Sequence, residues 1–166
     1  EQPPQTVYSQ KEGPKVSFAA FAIKREASLK AGPIPESFES LADWAHVVLI
    51  APFGSFVHEK EIIRNYRVGH DGNKFRDRFH LWVRDEQRMF YEVMPMAAHR
   101  AQMDDLSWID KASYVNFLRY VRAAYKEFSV PERPALMPPL HPWADRVGGQ
   151  STLDSFVADR PPPIRR

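Results

Sequence analysis

Lys74-Phe75-Arg76-Asp77-Arg78-Phe79-His80-Leu81-Trp82-Val83-Arg84 is the stretch whose secondary structure decides the fold class. Alternate residues of an extended chain share a face, and Phe75, Phe79, Leu81 and Val83 fall mostly on one side, so the stretch reads as a strand. Upstream, Ile62, Arg64, Tyr66 and Val68 alternate in the same way. They run into Gly69-His70-Asp71-Gly72-Asn73, a cluster with strong turn chemistry. Downstream, Asp85-Glu86-Gln87-Arg88 reads as a second turn and Met89 to Met94 as a third strand. Three sequential strands with short turns predict an antiparallel meander.

Helical periodicity brackets this region. Phe38, Leu41, Ala45 and Val48 recur at helical spacing, Trp44 widens their stripe and Pro52 stops it, which predicts a helix from Glu36 to Leu49. After Asp110, Tyr114, Phe117, Leu118, Val121, Ala124, Tyr125 and Phe128 recur at three and four, and Pro131 closes the pattern. That stripe needs cover, because burying each large apolar side chain stabilises by roughly 1.5–3 kcal/mol. The expected fold is therefore α+β: a small antiparallel three-stranded meander packed against two helices across residues 36–130.

Proline distribution sets the expected boundaries. Of 15 prolines, only Pro52 and Pro95 fall within residues 36–130. The rest lie in the flanks, Glu1–Pro35 and Pro131–Arg166, as in Pro33-Ile34-Pro35, Pro138-Pro139 and Pro161-Pro162-Pro163. Proline removes a backbone donor and pushes its predecessor out of the helical region, so both flanks read as extended arms. Val16 to Ile23 fits either an edge strand or a short helix. The arms carry large apolar anchors, unlike a disordered tail. Tyr8, Phe18, Phe21, Leu136, Leu140, Trp143, Phe156 and Ile164 are the candidate partner-binding residues, with Met137, Leu153 and Val157 beside them.

Composition narrows the chemistry. Lys and Arg number 23 against 21 Asp and Glu, a net charge of +2 with the signs interspersed, which disfavours nucleic acid as a partner. With no cysteine, a disulfide scaffold, a thiolate zinc site and a cysteine nucleophile are excluded. The longest apolar run, Ala45 to Val57, is interrupted by His46, Pro52 and Gly54 and is shorter than the ~20 residues a bilayer requires. No nucleotide-binding or hydrolase motif is present, and no cofactor is implied.

Two local patterns support alternative functions. His58, His70, His80 and His99, with Asp71, Asp77 and Glu92, could assemble a histidine–carboxylate site for acid–base work or metal binding. Phe75, Phe79, Trp82, Phe90 and Tyr91 beside Arg76 and Arg78 could stack single-stranded RNA on the sheet, as in an RNA-binding or mitochondrial ribosomal protein. Finally, Val68-Gly69-His70-Asp71-Gly72-Asn73-Lys74-Phe75 with Trp82-Val83 resembles the strand–turn–strand of a small accessory subunit of respiratory complex I. The resemblance covers only these residues, and the long helix after Asp110 departs from that family.

Proline-stiffened straps with scattered anchors lose little entropy on docking. The expectation is accordingly a non-enzymatic structural accessory subunit of a large multi-protein complex, its core docking and its arms wrapping other subunits. An N-terminal Glu1 in place of Met, the near-neutral charge and the proline-rich arms place the expected protein in the mitochondrion. There it would be soluble or peripheral to the inner membrane, in a respiratory-chain or ATP-synthase assembly.

Overall fold

A computed structural model describes residues 5–12, 22–57 and 75–160. Every regular element among them is helical, so the expected meander is corrected. Phe75–Arg88 is an α-helix, Met89–Val93 a π turn and Met94–Arg100 a further α-helix, which together make one continuous helical run. Phe75, Phe79 and Val83 are spaced by four, and that period prevails over the alternation of Phe79, Leu81 and Val83. Asp85-Glu86-Gln87-Arg88 ends the first helix instead of turning, and both carboxylates are buried. The expected first strand, from Ile62 to Val68, and the turn Gly69–Asn73 lie outside the described residues.

Numbered in chain order, the α-helices are α1 Gln5–Ser9, α2 Arg25–Ala31, α3 Ala42–Ile50, α4 Phe75–Arg88, α5 Met94–Arg100, α6 Ser107–Glu127, α7 Met137–Val147 and α8 Gln150–Val157. The π turn between α4 and α5 has a local cause. Pro95 has no N–H to donate and its ring crowds the preceding turn. The ladder widens just ahead of it, where the Met94 N–H reaches back to the Met89 carbonyl.

Two apolar clusters organise the packing. The first joins α3, α5, the π turn and the start of α6 around Trp44, Phe90 and Met94, with Val7 of α1 and Ala27 and Ala31 of α2 on its edge. The second joins α4, α6, α7 and α8 around Phe79, Phe117, Val121, Leu140, Trp143, Leu153 and Phe156. The N-terminal segment, α1 and the 3₁₀ turn Gln10–Glu12 that follows it, is pinned by two long-range hydrogen bonds. Thr6 Oγ1 donates to the Ala51 carbonyl at 3.0 Å, and Asn116 Nδ2 donates to the Lys11 carbonyl at 3.0 Å.

The extended arms are corrected as well, for the residues described. A 3₁₀ segment at Val130–Leu136 opens on a capping box between Ser129 and Glu132, and α7 and α8 follow it. Pro131 and Pro138 sit at helix starts, where the missing N–H has no intrahelical duty and the fixed φ is already helical. Pro134 and Pro142 stand inside the same helical elements. Gly148, at φ 68°, takes the left-handed conformation that ends α7. Gly149 then passes so close to Phe117 that a Cβ would run into the ring. Gly149→Ala is expected to destabilise by about 1–3 kcal/mol through overpacking, read as a lower urea midpoint at unchanged m-value.

Candidate functional site

Helix α4 presents two adjacent buried carboxylates to different neighbours. Asp85 is fully buried. Its Oδ2 accepts the N–H groups of Glu39, Ser40 and Leu41 at 2.9, 2.6 and 3.2 Å, while Oδ1 accepts Arg84 Nη2 at 3.0 Å. These three donors lie immediately ahead of α3, whose first turn has no side-chain cap from its own boundary residue Leu41. Asp85 thus supplies, from another helix, the anion that a helix N-terminus favours. Arg84 extends the clasp to Glu39 at 2.9 Å, and Arg88 donates to the Ser37 carbonyl at 3.0 Å and pairs with Glu92 at 2.7 Å.

Glu86 faces the other way, into α6. It is 4% exposed and accepts the Tyr120 hydroxyl at 3.2 Å. Burial pushes its carboxyl up to about 8, against weaker lowering by the Tyr120 hydrogen bond and the Arg119 charge. Burial and then the Glu86 carboxylate push the Tyr120 phenol up in turn. A neighbouring network is neutral: the Tyr91 and Ser113 hydroxyls lie 2.8 Å apart, and Trp143 Nε1 donates to Ser113 Oγ at 2.9 Å.

Among the described residues Arg133 is the one buried arginine or lysine. Its Nη1 donates to the Phe156 carbonyl at 2.9 Å and to Asp159 at 2.8 Å, and its guanidinium stacks over the Tyr125 ring. Each of these buried ionisable groups holds one element of the fold on another.

A concavity of about 340 Å³ lies open to solvent beside α5. Ala31, Pro33, Pro35, Phe38, Leu49, Val93 and Met96 give it an apolar lining, and Glu92 and Arg100 also border it. Arg100 Nη1 donates to the Ala31 carbonyl at 3.2 Å, and its guanidinium stands 5.9 Å from the Phe53 ring. Among the described residues Arg100 has no carboxylate partner, whereas Arg84, Arg88 and Arg133 each have one. The groove can take an apolar group that carries an anion, a pairing suited to guanidinium.

The candidate residues from the sequence are dispersed. Leu136, Leu140, Trp143 and Phe156 are buried in the second apolar cluster, against α4 and α6 of the same chain. Leu153 is buried with them, Met137 is half-buried and Val157 is exposed. Tyr8 is exposed, its ring edge-on to Trp108 at 5.3 Å with Lys11 Nζ 3.6 Å above it. Phe18, Phe21 and Ile164 lie outside the described residues, as does most of Val16 to Ile23.

Of the histidines, His46 is buried on α3, while His80, His99 and His141 are exposed. His58, His70 and Asp71 lie outside the described residues. Among those described, no group of three His, Asp or Glu side chains could hold a metal ion. The rings read as a stacking platform lie on helices, with Phe79 and Phe90 buried and Phe75 edge-on to Phe79 at 5.3 Å. Phe75, Trp82 and Val83, which carry the resemblance to the complex I subunit, are helical, and Val68 to Lys74 lie outside the described residues.

Asp85, Glu86 and Arg100 went unread in the sequence. Once α4 is set in helical register, Phe79, Val83, Glu86 and Phe90 step by four, three and four, so a carboxylate on the apolar stripe was a visible signal. Asp85 and Arg100 leave no such trace, because their partners are distant backbone groups. Among the described residues no helix is long and apolar enough to cross a membrane. Comparison with protein-family models, with curated proteins and with solved structures finds no match for this chain.

Proposed function

We propose that this chain is a structural accessory subunit of a multi-protein assembly, and that the groove beside α5 receives an apolar segment of a neighbouring subunit carrying a carboxylate for Arg100. The observation that carries the reading is the groove itself: an apolar lining bordered by a guanidinium that has no carboxylate partner among the described residues. Engagement of Asp85, Glu86 and Arg133 in internal scaffolding supports the same reading, because catalytic groups are placed where a substrate can reach them. The near-neutral charge separates the chain from the usual ribosomal subunit, and a mitochondrial respiratory-chain or ATP-synthase assembly is the setting proposed for it.

Native mass spectrometry of the endogenous protein from a gentle detergent extract, with cross-linking at Met96, tests the proposal. The expected result is co-migration with other chains in fixed stoichiometry and a cross-link from Met96 to an apolar, acid-containing segment of one of them. Met96 is exposed, so Met96→Glu is expected to leave the fold intact and to cut recovery in the complex by about tenfold or more, the effect of losing one buried anchor. A free species of 19.2 kDa in the native extract overturns the reading.

A further inference from the structure

Helices α4 and α6 meet across a carboxyl group. Glu86 is 4% exposed, and among the described residues the Tyr120 hydroxyl, at 3.2 Å, is the one donor it receives. Arg119 of α6 acts on it through its charge, and its Nη1 donates to Asn116 Oδ1 at 3.2 Å. On its own helix, Asp85 is occupied by the Glu39–Leu41 amides and by Arg84. Helix α7, which also packs on α4, meets it through the neutral bond from Gln87 Nε2 to the Pro139 carbonyl at 3.0 Å. Among the described residues no full ion pair balances a charge on Glu86, and an unpaired buried charge is costly.

We propose that Glu86 is a proton-operated latch on the seam between α4 and α6: neutral, it lies dry beneath Tyr120 and keeps the seam shut; ionised, it demands water and the seam opens. The rings stacked along this seam would be exposed together. Tyr120 lies 6.0 Å from Phe75, 6.3 Å from Phe79 and 5.5 Å from Trp143, centroid to centroid. The carboxyl's upward displacement to about 8 by burial agrees with the geometry. Because the folded value lies above the ordinary 4.5, the neutral form's contribution is fully present below pH 4.5 and is lost as pH rises through about 8. Between those values, the constant for opening to solvent should rise by about tenfold per pH unit.

Amide hydrogen exchange of the full chain from about pH 6 to about pH 9, scaled for base catalysis, reads that opening directly. In the wild type, protection of α4 and α6 should fall with pH relative to α3. Glu86→Gln, which stays neutral, should remove the dependence. Tyr120→Phe, which keeps the ring and deletes the hydroxyl donor, should move the midpoint to higher pH. Equal pH dependence in the wild type and Glu86→Gln overturns the latch. Should Glu86→Gln fail to fold, a carbon-13 titration of the wild-type Glu86 carboxyl decides instead: a midpoint about 8 supports the latch, and one in the ordinary carboxylate range ends it.

Discussion

Asp85→Ala is expected to destabilise the fold by roughly 3–6 kcal/mol, since three N–H groups lose a charged acceptor at once and a buried unsatisfied donor costs about 1–3 kcal/mol. The donors are the backbone of Glu39, Ser40 and Leu41, at the threshold of α3. Leu41 is itself buried, so water cannot readily replace the lost oxygen there. Asp85→Asn keeps an acceptor but gives up the charge, and should recover part of the loss. Urea unfolding measures the total, and hydrogen exchange locates it: protection should fall first at residues 39–45. A loss below about 1 kcal/mol would mean that the segment before α3 is held by Arg84 and Arg88 instead.

Trp143→Ala is expected to cost about 3–5 kcal/mol, the usual range for removing a large aromatic from a packed interior. Trp143 is fully buried, its ring edge-on to Phe117 at 5.6 Å and its Nε1 donating to Ser113. Trp143→Phe retains much of the packing and forfeits that hydrogen bond, so about 1–2 kcal/mol is expected. The pair of variants also separates two pictures of residues 131–157. A strap lying on a foreign surface would leave the stability of the isolated chain unchanged when its anchor is cut. An internal layer would not. A single cooperative transition with a lowered midpoint is the outcome expected from the packing of α7 on α4 and α6.

Periodicity was readable where it was uninterrupted. The stripe of Phe117, Leu118, Val121 and Ala124 predicts a helix after Asp110, and α6 buries all four of those side chains. Phe38, Leu41, Trp44, Ala45 and Val48 are buried as their spacing implies, yet α3 begins only at Ala42. The residues before it are arranged by Asp85, more than forty positions away, and no local pattern encodes such a partner.

The strand reading of Lys74 to Arg84 failed because Phe79, Leu81 and Val83 satisfy a period of two while Phe75, Phe79 and Val83 satisfy a period near four. Packing against α6 and α7 favoured the second. Four successive polar residues, Asp85 to Arg88, read as a turn for the same reason: Glu86 joins the apolar stripe only once the helical register is set, and nothing local announces that Asp85 is buried. The prolines differ in another way: Pro131 and Pro138 read as breakers from composition, yet their position in a first turn makes them helix starters.

Arg133 determines how the chain can be divided. Its guanidinium gathers the carbonyl of Phe128, just past α6, the carbonyl of Phe156 in α8 and the side chain of Asp159, so a loop of the chain is closed without a covalent link. A fragment stopped at residue 130 would strip the cover from Phe79, Phe117 and Val121 and present them to water as one sticky surface. For anyone designing expression boundaries, a version that keeps this closure runs at least to Asp159.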